Sequence, residues 1–406
     1  MAAELPGGRW HLPNAFLHGK HGGGLLMDTP YFCPNICIKS RATHLIHVLS
    51  ILFALILMSG ITAHAAHGSK NSWSTTPAFS GGVGLFFPVT PLSEDNLKYW
   101  FTPQVQQAKT SGLQFVNLIV HWRDLEPEDN HFSFDLLGRY IQTIKSSGLQ
   151  CVLRIYFNGG WHIQASPDWL FSEKQGAWCL EGDYVQPLPW DDVYIQEVKV
   201  FMEALADWLM IDSINKPHAL QISAGGIYGE MAVMGFDWQT AFDSDYDQFF
   251  NLLMEAEMTH VDIFASFSEK LGSIPLILMI NHLYDNYPVM NDQLLDYAWN
   301  TYGLRWFQSN AWSGALEEEA FGPLILDMMK RHASGGTFAL EDEYGFYQET
   351  LDQRIQRIVR IESETGIHFQ FATLNPGDLT AFNQADIDYL ISLIQEPKSQ
   401  VRFMNR

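Results

Sequence analysis

Basic side chains are scarce in this chain of 406 residues: 24 Lys and Arg stand against 46 Asp and Glu, a formal net charge of −22. A deficit of that size repels phosphate backbones and anionic headgroups, which excludes nucleic acid and an anionic membrane surface as partners. Charge of either sign is thin, at 17% of residues, while hydrophobic residues reach 47%; that balance excludes a disordered chain. Cysteine is scarcer still, with four in all. Cys33 and Cys37 lie near the N-terminus, and beyond residue 66 only Cys151 and Cys179 remain, with no CxxC pair and no zinc spacing. These two either form a disulfide outside the cytoplasm or stay as buried thiols.

The apolar run at 48–61 has 14 residues, short of the roughly 20 that span a bilayer. It follows Lys39 and Arg41 and precedes the small-x-small triplet Ala63, His64, Ala65, the order of a secretory signal over 44–66. Export to the periplasm or the medium is the expectation, with an uncleaved signal-anchor as the alternative. Residues 1–43 read as an unstructured extension, 67–80 as a linker, 81–396 as one folded domain and 397–406 as a tail. The first 66 residues hold four basic and two acidic side chains, so the acidity belongs to the folded part.

Aromatic residues are plentiful, with 27 Phe, 15 Tyr and 13 Trp. From Gly81 onward, β-rich runs alternate with amphipathic helical stretches, which predicts parallel strands joined by right-handed crossovers. Strands are expected at 83–88, 115–122, 151–157, 219–223, 275–281, 305–308, 337–343 and 368–374. Helices are expected at 134–146, 194–211, 245–270, 291–302, 323–332, 348–365 and 384–395. Gly112, Gly148, Gly272, Gly303, Gly336 and Gly366 punctuate the helix-to-strand joints, where a left-handed residue ends a helix. Eight units of this kind predict a single (β/α)8 barrel. The 158–192 stretch after strand three is an aromatic-rich insertion carrying Trp161, Trp169, Trp178, Tyr184 and Trp190, read as a platform for sugar rings or as the insertion's own small core.

Reactive residues of such a barrel sit at the C-terminal strand ends. Strand two ends in His121, Trp122 and Arg123, followed by Glu126-Pro127-Glu128; strand three supplies Arg154 and Tyr156. Strand four runs out through glycines to Glu230, strand five ends in Asn281 and His282, strand six leads to Trp312, strand seven to Glu341, Asp342 and Glu343, and strand eight to Asn375. Within 337–343 the side chains alternate, so Glu341 and Glu343 share a face with Thr337 and Ala339, the small residues suited to a barrel interior. Carboxylates at strands four and seven face each other across a barrel, as needed to protonate a leaving glycosidic oxygen and to attack, or activate water against, the anomeric carbon.

The run His121-Trp122-Arg123-Asp124-Leu125-Glu126-Pro127-Glu128 resembles the W-x-x-x-E-P signature of clan A glycoside hydrolases, in particular the β-galactosidase-like and cellulase-like families. Pro167-Asp168-Trp169-Leu170 is similar to the P-x-W-L segment of their third loop, and Glu343-Tyr344-Gly345 to the E-[FY]-G that carries their nucleophile. The resemblance covers most of 81–396 and implies cleavage of an oligosaccharide or polysaccharide without a cofactor. It implies Glu230 as acid/base, and Glu343 or Glu341 as nucleophile. One departure stands out: Gly229 precedes Glu230 where the clan has Asn, which keeps open a catalytically inactive, glycan-binding or envelope-polysaccharide accessory role on the same barrel.

His121, Arg154, Tyr156, Asn281, His282 and Asn375 are expected to orient sugar and nucleophile, and Trp122, Trp161, Trp169 and Trp312 to stack on sugar faces. Glu126 is expected to be structural. Strand one has no H-x-H pair and strand four no terminal Lys, so metal-assisted hydrolysis is not expected. The sugar, the linkage, endo or exo action and the oligomeric state are not legible here.

Overall fold

The computed structural model describes residues 79–159, 164–181, 184–226, 242, 245–280, 287–304, 306–309, 322–332, 337–340 and 350–395. Ten strands occur among them: β1 (Gly82–Val89), β2 (Phe115–His121), β3 (Gln150–Tyr156), β4 (Trp178–Glu181), β5 (Tyr184–Pro187), β6 (Ala219–Ile222), β7 (Leu276–Ile280), β8 (Trp306–Ser309), β9 (Thr337–Leu340) and β10 (Phe369–Leu374). Eight of them close a parallel barrel in the order β1-β2-β3-β6-β7-β8-β9-β10, with β10 returning to β1. The strands β4 and β5 form a separate antiparallel pair. Each predicted barrel strand is present, its boundaries shifted by a residue or two; beyond Leu340 the predicted seventh strand lies outside the described residues.

Helices cover the outside of the barrel. They are α1 (Thr102–Thr110, entered through a π-helical segment at Asn96–Phe101), α2 (Trp122–Leu125), α3 (Asp135–Ser146), α4 (Trp169–Ser172), α5 (Asp192–Ile211), α6 (Tyr246–Lys270), α7 (Tyr287–Tyr302), α8 (Gly322–His332), α9 (Leu351–Thr365), α10 (Pro376–Ala381) and α11 (Gln384–Gln395). Their apolar residues recur at helical spacing, as in α5, where Tyr194, Val198, Phe201, Met202, Leu205 and Leu209 are buried. The predicted left-handed joints are present at Gly112, Gly148, Gly272, Gly303 and Gly366, with φ between 67° and 88°; Gly336 lies outside the described residues.

Two apolar layers result. The larger lies between the strands' outer faces and the helices. The smaller fills the barrel's N-terminal end, where Phe115, Val152, Ala219, Ile277 and Phe371 point inward with Trp306 beside them. Phe79 plugs this end, its ring 5.3 Å from Phe115 and 5.0 Å from Trp306. Although 67–80 reads as linker, Phe79 is therefore part of the barrel. Gly84 of β1 makes the packing feasible, because a β-carbon there would lie 2.2 Å from the Phe115 ring. Cys151 and Cys179 are both buried free thiols, which settles the sequence alternative against a disulfide; burial pushes the Cys151 thiol up to about 12. Among the described residues, no helix is long and apolar enough to cross a membrane.

Candidate active site

Strand alternation sets the contents of the barrel mouth. With Phe115 and Val152 inward, the next inward residues are Asn117, Ile119 and His121 on β2, and Arg154 and Tyr156 on β3. The register places Ile119 beside Arg154 and His121 beside Tyr156, and Arg154 beside Gln221 of β6. Asn117 donates to the Gln221 side-chain oxygen at 3.3 Å, and the Ser223 hydroxyl, just past β6, donates to the Ile155 carbonyl at 2.6 Å. Above the apolar plug the barrel interior is thus a polar wall of Asn117, Arg154, Gln221, Ser223 and Thr373, all buried.

The wall's upper course is built from His121, Tyr156 and Arg154. The His121 ring stacks on Tyr156, with centroids 5.9 Å apart and planes at 14°, and its Nδ1 meets the Thr90 hydroxyl at 3.0 Å. Burial, with the Arg123 charge adding to it, pushes His121 down to about 4, so the imidazole is neutral at ordinary pH. The Arg154 guanidinium lies 4.9 Å from the Tyr156 ring centroid, a cation–π contact that fixes both side chains. An arginine held in this way supplies a fixed positive charge to an anion at the barrel mouth and lowers the pKa of a carboxyl group placed there.

Several predicted site residues have other work. Trp122 is fully buried and Trp169 nearly so, so neither stacks on a sugar. The chain turns from strand to helix at Trp122, which ends the inward-outward alternation and swings the indole into the outer core against Phe157 and Trp169. There the Trp122 Nε1 donates to Glu126 Oε2 at 2.8 Å, the Asn130 amide donates to Oε1 at 2.9 Å, and Trp169 Nε1 donates to the Glu126 carbonyl at 3.0 Å. The W-x-x-x-E motif is a staple that folds the loop after β2, as expected of a structural Glu126. Burial pushes Glu126 up to about 7, with Asp129 and Glu197 adding to the rise and the two hydrogen bonds opposing it.

Asn375 is likewise not a substrate contact: its side-chain oxygen caps α10, accepting from the Gly377 and Asp378 amides. Of the other aromatic residues in the stretch after strand three, Trp190 packs on Phe242 and Phe249, which fits the small-core reading. Glu230, Glu341, Glu343, Trp161, Asn281, His282 and Trp312 lie outside the described residues. Sequence reasoning missed Asn117, Gln221 and Ser223, although the alternation that selects Arg154 also selects them.

Residues 97–211 match the β-galactosidase family model of glycoside hydrolase family 42. The matched segment runs from the π-helical turn through β2, β3 and α5, and so carries His121, Arg154, Tyr156 and the Glu126 staple. No curated protein sequence matches the chain. Among solved structures, the chain is similar to the catalytic domain of β-amylase from Paenibacillus polymyxa, with 15% identity and a TM-score of 0.57 over 78% of this chain and 99% of that one. It is also similar to a trimodular GH5_4 subfamily endoglucanase, with 13% identity and a TM-score of 0.51 over 80% and 62%. The resemblance to glycoside hydrolase barrels stands in both the matched segment and the fold.

Proposed function

We propose, starting from a barrel of the glycoside hydrolase kind, that this protein cleaves a glycosidic bond in an oligosaccharide or polysaccharide with two carboxylates. Glu230 is the acid/base and Glu343, or Glu341, the partner carboxylate. The observation that carries the reading is the polar wall at the C-terminal mouth: His121, Tyr156 and Arg154 form one fixed course on adjacent strands, inside the segment that matches the β-galactosidase family. A neutral His121 and the Tyr156 hydroxyl offer hydrogen bonds to sugar hydroxyls, and Arg154 holds a neighbouring carboxylate ionised. The side-chain alternation of β9 supports the partner carboxylate, since Ala339 is in register with the inward Phe371 and positions 341 and 343 continue the same parity.

Hydrolysis of a glycan panel by wild type, Glu230→Gln, Glu341→Gln and Glu343→Gln tests the proposal. Loss of cleavage with binding retained in Glu230→Gln and in one of the strand-seven variants is expected, and the anomer released identifies retention or inversion. A glycan that binds and survives unchanged in wild type would overturn it in favour of a binding role. Export belongs to the same proposal, and its check is whether the protein recovered outside the cytoplasm begins within a few residues of Ala66.

A further inference from the structure

Glu257 takes no part in the wall described above, yet it is fully buried. It sits on α6 in line with the helix's buried apolar residues Phe249, Leu253, Val261 and Phe264, at a position where helical spacing asks for hydrocarbon. Its carboxylate presses flat on the backbone of Gly225, three residues beyond β6: a β-carbon at Gly225 would lie 1.8 Å from Oε2 and 2.3 Å from Oε1. Only glycine leaves room for that group.

The other side of the same backbone is held from α5. The Tyr194 hydroxyl lies 2.6 Å from the Ala224 carbonyl oxygen and also meets the Asn158 side chain, just past β3. His260, three residues along α6 from Glu257, packs edge-on against the Tyr194 ring at 5.5 Å, and its Nε2 meets the Pro189 carbonyl at 3.1 Å. The chain leaving β6 is thus gripped at Ala224 and Gly225 by the helices that precede and follow the strand. A buried carboxylate is a costly way to fill space that Leu or Met would fill at no electrostatic cost, so its presence calls for a geometric role.

We propose that Glu257, seated on Gly225 and framed by Tyr194, is a positioning residue that sets the direction of the chain leaving β6 and thereby of Glu230, five residues on. The inference rests on the glycosidase reading above. Misplacing a reacting group by about 1 Å costs on the order of a hundredfold in rate, which makes turnover the sensitive quantity.

The test compares Glu257→Ala, Glu257→Gln, Gly225→Ala and the Gly225→Ala/Glu257→Ala double variant by kcat, KM, melting temperature and amide exchange over 219–226. Glu257→Ala and Gly225→Ala are each expected to lower kcat by about tenfold or more with KM within about twofold. Glu257→Gln, which keeps the shape, is expected to stay within about threefold of wild type. Exchange at 223–226 should quicken in Glu257→Ala and not in Glu257→Gln. The double variant relieves the clash, so its melting temperature should recover relative to Gly225→Ala while its kcat does not. A folded Glu257→Ala protein with wild-type kcat and unchanged exchange overturns the proposal. Should wild type cleave no glycan, the glycosidase reading fails, and exchange alone decides the grip: quickening in Glu257→Ala supports it and no change removes it.

Discussion

The two ends of the barrel interior are built from the same strands and have opposite chemistry. Four inward-facing columns change character at their second position: Phe115 gives way to Asn117, Val152 to Arg154, Ala219 to Gln221 and Phe371 to Thr373. Below that level the side chains are hydrocarbon and close on Phe79; above it they are polar and lead to His121 and Tyr156. Stability and chemistry are therefore divided along the barrel axis, so that either can be altered without the other.

The largest effect expected from that division is on the plug. Phe115→Ala removes a ring in contact with Phe79 and Phe371 and should cost about 3–5 kcal/mol of stability, measured by denaturant unfolding. Activity per folded molecule should not change; a fall in kcat/KM at matched folded fraction would show that the two ends are coupled. Arg154→Met is the complementary break. It keeps volume and removes the charge, so kcat/KM should drop by about a hundredfold, or about 2.7 kcal/mol, while the melting temperature moves little. An Arg154→Met protein as active as wild type would take the polar wall out of the chemistry.

How much of this division was legible beforehand depends on which rule governed each residue. The strands and joints were readable because each strand is a compact apolar run and the left-handed glycines terminate helices by local backbone geometry alone, as at Gly148 and Gly366. Inward and outward faces were readable where the strand is regular, which is why Arg154 and Tyr156 stand where expected. Trp122 failed because alternation stops one residue earlier, at His121, and the expectation carried the strand one residue too far. Asn375 was misread for a different reason: Asn-Pro-Gly-Asp is a helix-capping sequence, and the cap consumes the oxygen offered to a ligand. Glu257 was visible as one acidic residue interrupting an apolar helical stripe, but what it touches depends on Gly225, 32 positions earlier, and no local pattern reports that.

Titration sharpens the comparison between the stapled loop and the wall. Glu126, raised to about 7, keeps in the fold a proton that the unfolded chain releases near 4.5, so its contribution to stability falls as pH rises through that window and is level above it. His121 and His260, lowered to about 4, refuse in the fold a proton that the unfolded chain accepts near 6.5, so their contribution falls as pH drops through that window. The two act in opposite directions between about pH 5 and 6. Glu126→Gln gives up one hydrogen bond and should be less stable at pH 5, yet it should lose the decline of about 2 kcal/mol between pH 5 and 7. Parallel pH profiles for wild type and variant, measured by denaturant unfolding, would return Glu126 to an ordinary carboxylate.

The smallest change tests whether the staple belongs to the fold alone. Trp122→Phe keeps an aromatic ring in the outer core and removes the N–H that donates to Glu126 Oε2, which should cost about 1–2 kcal/mol. Losing a donor to the carboxylate also leaves Glu126 harder to ionise, so the pH-dependent decline should move to higher pH. Because Trp122 faces away from the barrel mouth, kcat/KM should stay within about twofold of wild type, no more than about 0.4 kcal/mol. A variant of normal stability with collapsed kcat/KM would mean that Trp122 reaches the glycan after all. The polar wall would then extend past the strand end into the loop that the staple holds.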